Sequence, residues 1–308
     1  MKRNIHKRAT RTALVLLASL ALPMAVFADA GKQASTVRAL PDIDNSTETT
    51  RSKIQSEKEQ QIVTEAAEAL SNIHQALDAL NKNDGKKAFY ALQTASEKLD
   101  TVLAKHPYLK LIPTDVVVNT IDFTGDAKTI EKAVSEAEDL LGDGKVQAAR
   151  QMLGGLASEI SISTLNMPLG SFPAAVKKAM AMANNGENKA ALDFLNDALN
   201  MLVETTDILP LPFIRAEALV NRASDLEHKK DVAKEKNREE ILKLADAAKE
   251  QLKIAELLGY GDKNDFKPVY TEIDDIKEDV HTEKSTAAWE NIKRKLAGLK
   301  NKISPFQK

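Results

Sequence analysis

Cysteine is absent from all 308 residues. No disulfide framework, thiolate metal site or thiol nucleophile therefore contributes to what the chain does, and no lipidation cysteine is present. Aromatic residues make up only 4%, so a core must be built from Ala, Leu, Ile, Val and Met. Ala and Leu are the strongest helix formers, which tilts the chain toward an all-α protein. Beyond the N-terminal region no apolar run approaches the ~20 residues that span a bilayer, so no membrane span is expected.

Catalytic signatures are missing too. His6, His74, His106, His228 and His281 are scattered, with no pair at helical ligand spacing and no HExxH. No GxSxG elbow is present, and Ser171 has no base that the sequence assigns to it. Gly142-Asp143-Gly144 opens like a dinucleotide loop, but Gln147 occupies the third glycine position and a helical pattern precedes it. Asp262-Lys263-Asn264-Asp265 resembles the start of a calcium loop, yet Lys267 stands where its glycine is required. Carboxylates fall among lysines three and four apart, the spacing of solvated helix pairs. The expectation is a protein that is not an enzyme and holds no cofactor and no metal.

The N-terminus is informative. Lys2, Arg3, Lys7, Arg8 and Arg11 precede the apolar run Ala13 to Leu22, and small residues place cleavage after Ala28 or Ala30. This is the layout of a secretory signal peptide, and it predicts a periplasmic location in a Gram-negative cell. Removing residues 1–28 takes away five basic groups and no acid, leaving 38 basic against 45 acidic side chains, a net charge of −7. Such a chain is a poor partner for nucleic acid, which requires clustered Lys and Arg.

Residues 29–58 are polar and lack hydrophobic spacing, so a disordered linker is expected there. From Gln60 the spacing becomes helical. Ile62, Ala66, Ala69, Leu70, Ile73, Ala76, Leu77 and Leu80 form one face, Asn83-Asp84-Gly85 is a turn with Gly85 as its left-handed residue, and Ala88, Leu92, Ala95 and Leu99 form the return face. Two further hairpins turn at Gly144 and Gly186 and align at a shift of 42 residues, Ala148 on Ala190 and Leu153 on Leu195. A helix-turn-helix unit of that length lies in the range of solenoid repeats. The first hairpin fits this register only loosely.

Leu111–Phe123, Ile160–Leu169 and Val203–Pro212 are β-favouring, the last two broken by proline, and are expected to form a small sheet or extended strips. Helices are expected over Ile214–Leu226 and Ile241–Leu258, and a helical hairpin after Pro268. The fold class is thus mainly α: packed antiparallel hairpins with a small extended component. Leu209, Leu211, Phe213 and Ile214, with Met167 and Leu169 from the matching connector, form apolar strips. They read first as core and second as a candidate client or partner surface. Met152, Met167, Met180, Met182 and Met201 read the same way, because flexible thioethers adapt to varied surfaces.

Thr164-Leu165-Asn166-Met167-Pro168-Leu169-Gly170-Ser171-Phe172-Pro173 and Ile208-Leu209-Pro210-Leu211-Pro212-Phe213-Ile214-Arg215-Ala216, flanking an Ala/Leu hairpin, resemble the YfdX family of exported enterobacterial proteins. The resemblance covers about Gln60 to Gly261, so residues 59–262 are expected as a YfdX-like domain and 263–308 as a C-terminal helical extension. It implies a soluble helical protein linked to heat, acid and other envelope stress, with chaperone-like behaviour and no catalytic residues to carry over. The expected function is ATP-independent, holdase-like protection of unfolded periplasmic proteins. The competing expectation is a helical scaffold or ligand-binding module for one partner. A homo-oligomer is compatible with either.

Overall fold

The computed structural model describes residues 41–280 and 285–304. The expected leader and the linker up to residue 40 lie outside the described residues. The described chain runs α1 (Pro41–Glu59), α2 (Thr64–Asn81), α3 (Gly85–Lys105), β1 (Leu111–Ile121), α4 (Ala127–Gly142), α5 (Val146–Leu153), β2 (Glu159–Pro168), α6 (Phe172–Asn184), α7 (Asn188–Leu199), β3 (Val203–Pro210), α8 (Leu211–Lys229), α9 (Glu235–Leu257), α10 (Lys263–Asp279) and α11 (Ser285–Ile303). It is mainly helical with one small antiparallel sheet, as the spacing predicts.

Three helix pairs, α2–α3, α4–α5 and α6–α7, are copies of one hairpin. Each turns through one left-handed residue: Asn83 at φ 58°, Gly144 at φ 73° and Gly186 at φ 79°. Each closes with the same two backbone bonds. Asp84, Lys145 and Glu187 N–H reach back to the Ala79, Leu140 and Met182 carbonyls at 2.9, 2.8 and 2.9 Å, while Asn83, Gly144 and Gly186 N–H bond Leu80, Leu141 and Ala183. This is the Schellman closure, which satisfies the orphan carbonyls at a helix end. The first hairpin therefore matches the second at a shift of 61 residues and the third at 103. The expectation of a loose fit, and of Gly85 as the left-handed residue, is corrected. Asn83 takes that place, because Asn tolerates the left-handed region better than most residues. Gly85 instead opens α3, where an added Cβ would lie 2.1 Å from Asn188 Oδ1.

Hairpins 1 and 3 bury their apolar faces against each other. Ile73, Leu80, Leu92 and Leu99 share one core with Phe172, Val176, Ala179 and Leu195. Hairpin 2 stands apart. Its base, Ile130, packs with Phe123 and with Ile254 of α9, while of α5 only Ala149 is buried.

The three connectors make the sheet, in the order β1-β2-β3 and antiparallel throughout. One of its faces carries Ile160, Ile162 and Leu209, packed on Ile54 of α1 and Ile214 of α8. β1 is bulged between Pro113 and Asp115, where proline cannot donate to the ladder. There the Thr114 hydroxyl donates to the Leu165 carbonyl at 2.9 Å.

Two expectations are corrected in the remainder. Residues 41–58 are not a tether: they form α1, held by buried Ile43 and Ile54. Those two isoleucines, eleven apart, sit on one side of a helix whose other positions are polar, too few for a hydrophobic period to show. The division at 262/263 is likewise not a packing boundary, because α8, α9, α10, α11 and Ile43 of α1 share a single core around Trp289, Phe213 and Phe266. Pro268 lies inside α10, which begins at a capping box between Asp262 and Asp265. The acidic tetrapeptide is thus a helix start, since both carboxylates accept backbone N–H groups.

The hairpin copies give a direct test. Leu92→Ala or Leu195→Ala is expected to cost about 2–5 kcal/mol in urea unfolding, whereas the matching Leu153→Ala, in dilute protein, is expected to cost less than about 1 kcal/mol because its side chain is half in solvent. Gly186→Ala is expected to cost about 1 kcal/mol or more, since a Cβ at that φ is strained.

Candidate functional site

The six residues of the candidate surface do not form one. Leu209, Leu211, Phe213, Ile214, Met167 and Leu169 are all buried, and they are shared among four cores. Leu209, Leu211 and Ile214 lie beneath the sheet with Ile160 and Ile162. Phe213 stacks on Phe266 in the C-terminal bundle, ring centres 5.9 Å apart. Met167 joins the core of hairpins 1 and 3, and Leu169 packs with Ala66, Val102 and Ile112. The proline connectors cross from one layer to the next, so successive apolar side chains enter different cores. Of the methionine group, Met180, Met182 and Met201 pack on the core of hairpins 1 and 3.

What the structure assembles instead is a polar joint. At the foot of the sheet, Arg215 of α8 donates from Nη1 and Nη2 to the two carboxylate oxygens of Asp122, at 3.1 and 2.7 Å. The Ser158 hydroxyl donates to the same carboxylate at 3.0 Å. The Ser158 N–H donates to the Tyr260 hydroxyl at 2.9 Å, and that hydroxyl donates to Glu159 Oε2 at 2.6 Å. Burial, and then the Glu159 carboxylate, push the Tyr260 phenol well above its ordinary value, so it stays protonated as the donor. The circuit ties the end of β1, the start of β2, α8 and the turn after α9. Each hydroxyl is already committed as a donor, so the cluster is arranged as a joint rather than as a nucleophile with its base.

Sequence reasoning missed this joint. Its one signal was Arg215 itself, four residues from Leu211 and four from Leu219 on an inward helical face. A charge in that position requires a buried partner.

Among the described residues, no group of three or more His, Asp or Glu is placed to hold a metal ion, and no helix is long and apolar enough to cross a membrane. An open groove of about 460 Å³ runs between hairpins 1 and 3, lined by Gly85, Phe89, Tyr90, Ala183, Asn184 and Asn188.

Arg215→Ala leaves Asp122 without its bidentate partner and is expected to cost about 2–4 kcal/mol by urea unfolding. Tyr260→Phe, which strands one buried N–H and one carboxylate oxygen, is expected to cost about 1–3 kcal/mol.

Residues 69–208 match the family model described as YfdX protein. Among solved structures, Salmonella Typhi YfdX is similar at 18% identity, over 49% of this chain and 93% of that chain, with a TM-score of 0.35. No curated protein matches. The match is narrower than the Gln60–Gly261 stretch that carries the sequence resemblance: it opens within α2 and closes within β3, leaving the α8–α11 bundle outside. Residues 69–208, which hold all but the start of the three hairpins and nearly all of the sheet, are thus the part of the chain that is similar to the YfdX family.

Proposed function

We propose that this chain is a periplasmic stress-protection protein that acts, once its leader is removed, as an ATP-independent holdase for unfolded proteins, with no catalytic turnover. The observation that carries this reading is how the helices are fastened. Their faces are rich in alanine, so each contact removes little apolar area from water. Lys–carboxylate pairs clip the margins. Lys105–Glu65 and Lys98–Glu68 join α2 to α3, and Lys177–Asp100, at 2.8 Å, joins α3 to α6. In the C-terminal bundle Lys249–Asp274 (2.6 Å), Lys295–Glu272 (2.5 Å) and Lys300–Glu217 (2.9 Å) join neighbouring helices.

Acid undoes such clips in a defined direction. The Lys105 amine hydrogen-bonded to Glu65 holds that carboxyl below its ordinary value of 4.5, and Lys302 holds Asp265 below 3.8. A carboxyl whose folded pKa is depressed stabilises the fold above its unfolded pKa, and that contribution is lost as pH falls through the folded value. The Glu65 and Asp265 pairs therefore hold at neutral pH and are released only as pH falls below those ordinary values. Protonation also leaves the basic groups of the chain uncompensated, and their repulsion spreads the helices. The Ala, Leu and Met faces thus exposed would bind unfolded clients by apolar burial, at about 25 cal/mol per Å².

The test is aggregation of several unrelated proteins with the chain recovered from the periplasmic fraction of producing cells. Near-stoichiometric protection is expected, stronger at about pH 4 or below than at pH 7. Protection of no client at any pH or temperature would remove the chaperone reading. Capture of one reproducible partner without protection would replace it with the scaffold reading. A Glu65→Gln/Glu68→Gln/Asp265→Asn variant, which mimics protonation, is expected to move the onset of acid unfolding to higher pH, read by circular dichroism.

A further inference from the structure

The two outer edges of the sheet differ. The β1 edge is blunted: Pro113 has no N–H, its carbonyl accepts from the Val63 N–H, and the Asp115 carboxylate accepts the Val116 N–H at 2.9 Å. Bulges, prolines and local caps of this kind keep an edge strand from pairing with another chain. β3 lacks them. It has no register shift and no lysine, and its one proline, Pro210, closes the strand.

The register fixes which groups of β3 point outward. Asn166 pairs with Val203 and Thr164 with Thr205, and just past the strands the Leu211 N–H bonds the Ser158 carbonyl at 2.9 Å. Bonding alternates along an antiparallel pair. Val203, Thr205, Asp207 and Leu209 therefore bond to β2, while Glu204, Thr206 and Ile208 turn their N–H and C=O groups away from it. The Ser304 hydroxyl takes the Ile208 carbonyl at 2.7 Å. Among the described residues, the other five groups of this row bond no further strand or loop. Val203 to Thr206 and Ile208 are also exposed.

A row of donors and acceptors repeating every second residue fits an extended main chain. A folded protein has already paired most of its own main chain, whereas an unfolded one has not. Charge narrows the choice, because β3 carries Glu204 and Asp207 and no base. We propose that β3 is the docking edge for unfolded clients, which add to the sheet as a fourth strand through a short extended segment rich in β-branched and basic residues. This deepens the holdase reading, from which the class of partner is taken. It places a client contact on the folded chain at neutral pH, before acid loosens the helices. With five backbone groups open, binding is weak and tolerant of sequence, since the main chain supplies most of the contact.

The test is fluorescence anisotropy of a labelled, end-blocked peptide of alternating Lys and Val, seven residues long, titrated with the full exported chain at pH 7. Saturable binding is expected, with a dissociation constant on the order of 100 µM. The analogue N-methylated at every amide keeps the charges and side chains but has no donors, and is expected to bind at least about tenfold more weakly. Thr206→Pro removes an outward N–H at an edge position that tolerates proline. It is expected to weaken binding by a similar factor with the circular dichroism unchanged, while Thr206→Val, which keeps the N–H, binds like the parent. Equal binding of the N-methylated analogue overturns the proposal. So does binding seen only after residues 305–308 are removed, which assigns the edge to the chain's own tail, or a change of mass in Thr206→Pro without peptide binding, which assigns it to a second copy. Protection against aggregation without peptide binding overturns the docking edge and leaves the holdase reading standing. Peptide binding without protection does the reverse.

Discussion

A two-helix hairpin with an Ala/Leu stripe on each helix leaves one apolar face that it cannot cover by itself, and the rest of this structure follows from what is laid over that face. Hairpins 1 and 3 cover each other. Among the described residues, hairpin 2 receives the end of α9 and Phe123 at its base. The sheet is the consequence of joining three such units: each connector must run from the end of one hairpin to the start of the next element, and three antiparallel runs side by side satisfy one another's backbone groups. The C-terminal bundle is a second solution, with α8 to α11 wrapping their own core and enclosing Trp289.

The joint between these bodies is polar. Arg215 enters from α8 among leucines, and the place where it emerges is where β1, β2 and the turn after α9 converge. Burying a guanidinium is costly unless its partner is fixed in a matching fork. The bidentate geometry with Asp122, itself fixed by the Ser158 hydroxyl, supplies that fork and locks the register of the sheet against the bundle. Apolar packing alone would leave that register loosely specified, because alanine faces slide past one another with little change in buried area.

Much of this was legible in the sequence. The 3.6-residue spacing located most of the helices, the β-branched connectors located the strands, and Gly144 and Gly186 located two of the three identical turns. The third turn was misread because Gly85 sits two residues beyond the left-handed position. There the glycine answers a tertiary demand, the approach of Asn188, rather than a backbone one. Helix α1 was read as tether because two isoleucines on a polar helix make no period. The candidate surface failed for a related reason: Leu211 and Ile214 enter the core beneath the sheet while Phe213, between them in the chain, enters the C-terminal bundle, and no local pattern records which layer a proline-broken segment is crossing.

The sequence by itself determined most of the secondary structure, two of the three copies of the hairpin and the resemblance to YfdX proteins, because period, turn chemistry and motif are local properties of the chain. Only the tertiary structure decided which hairpin faces are covered. Leu92, Leu153 and Leu195 occupy the same place in the same motif, yet Leu153 alone of the three meets solvent. Burial depends on what arrives from elsewhere in the chain, through a loop whose length fixes the reach but not the destination.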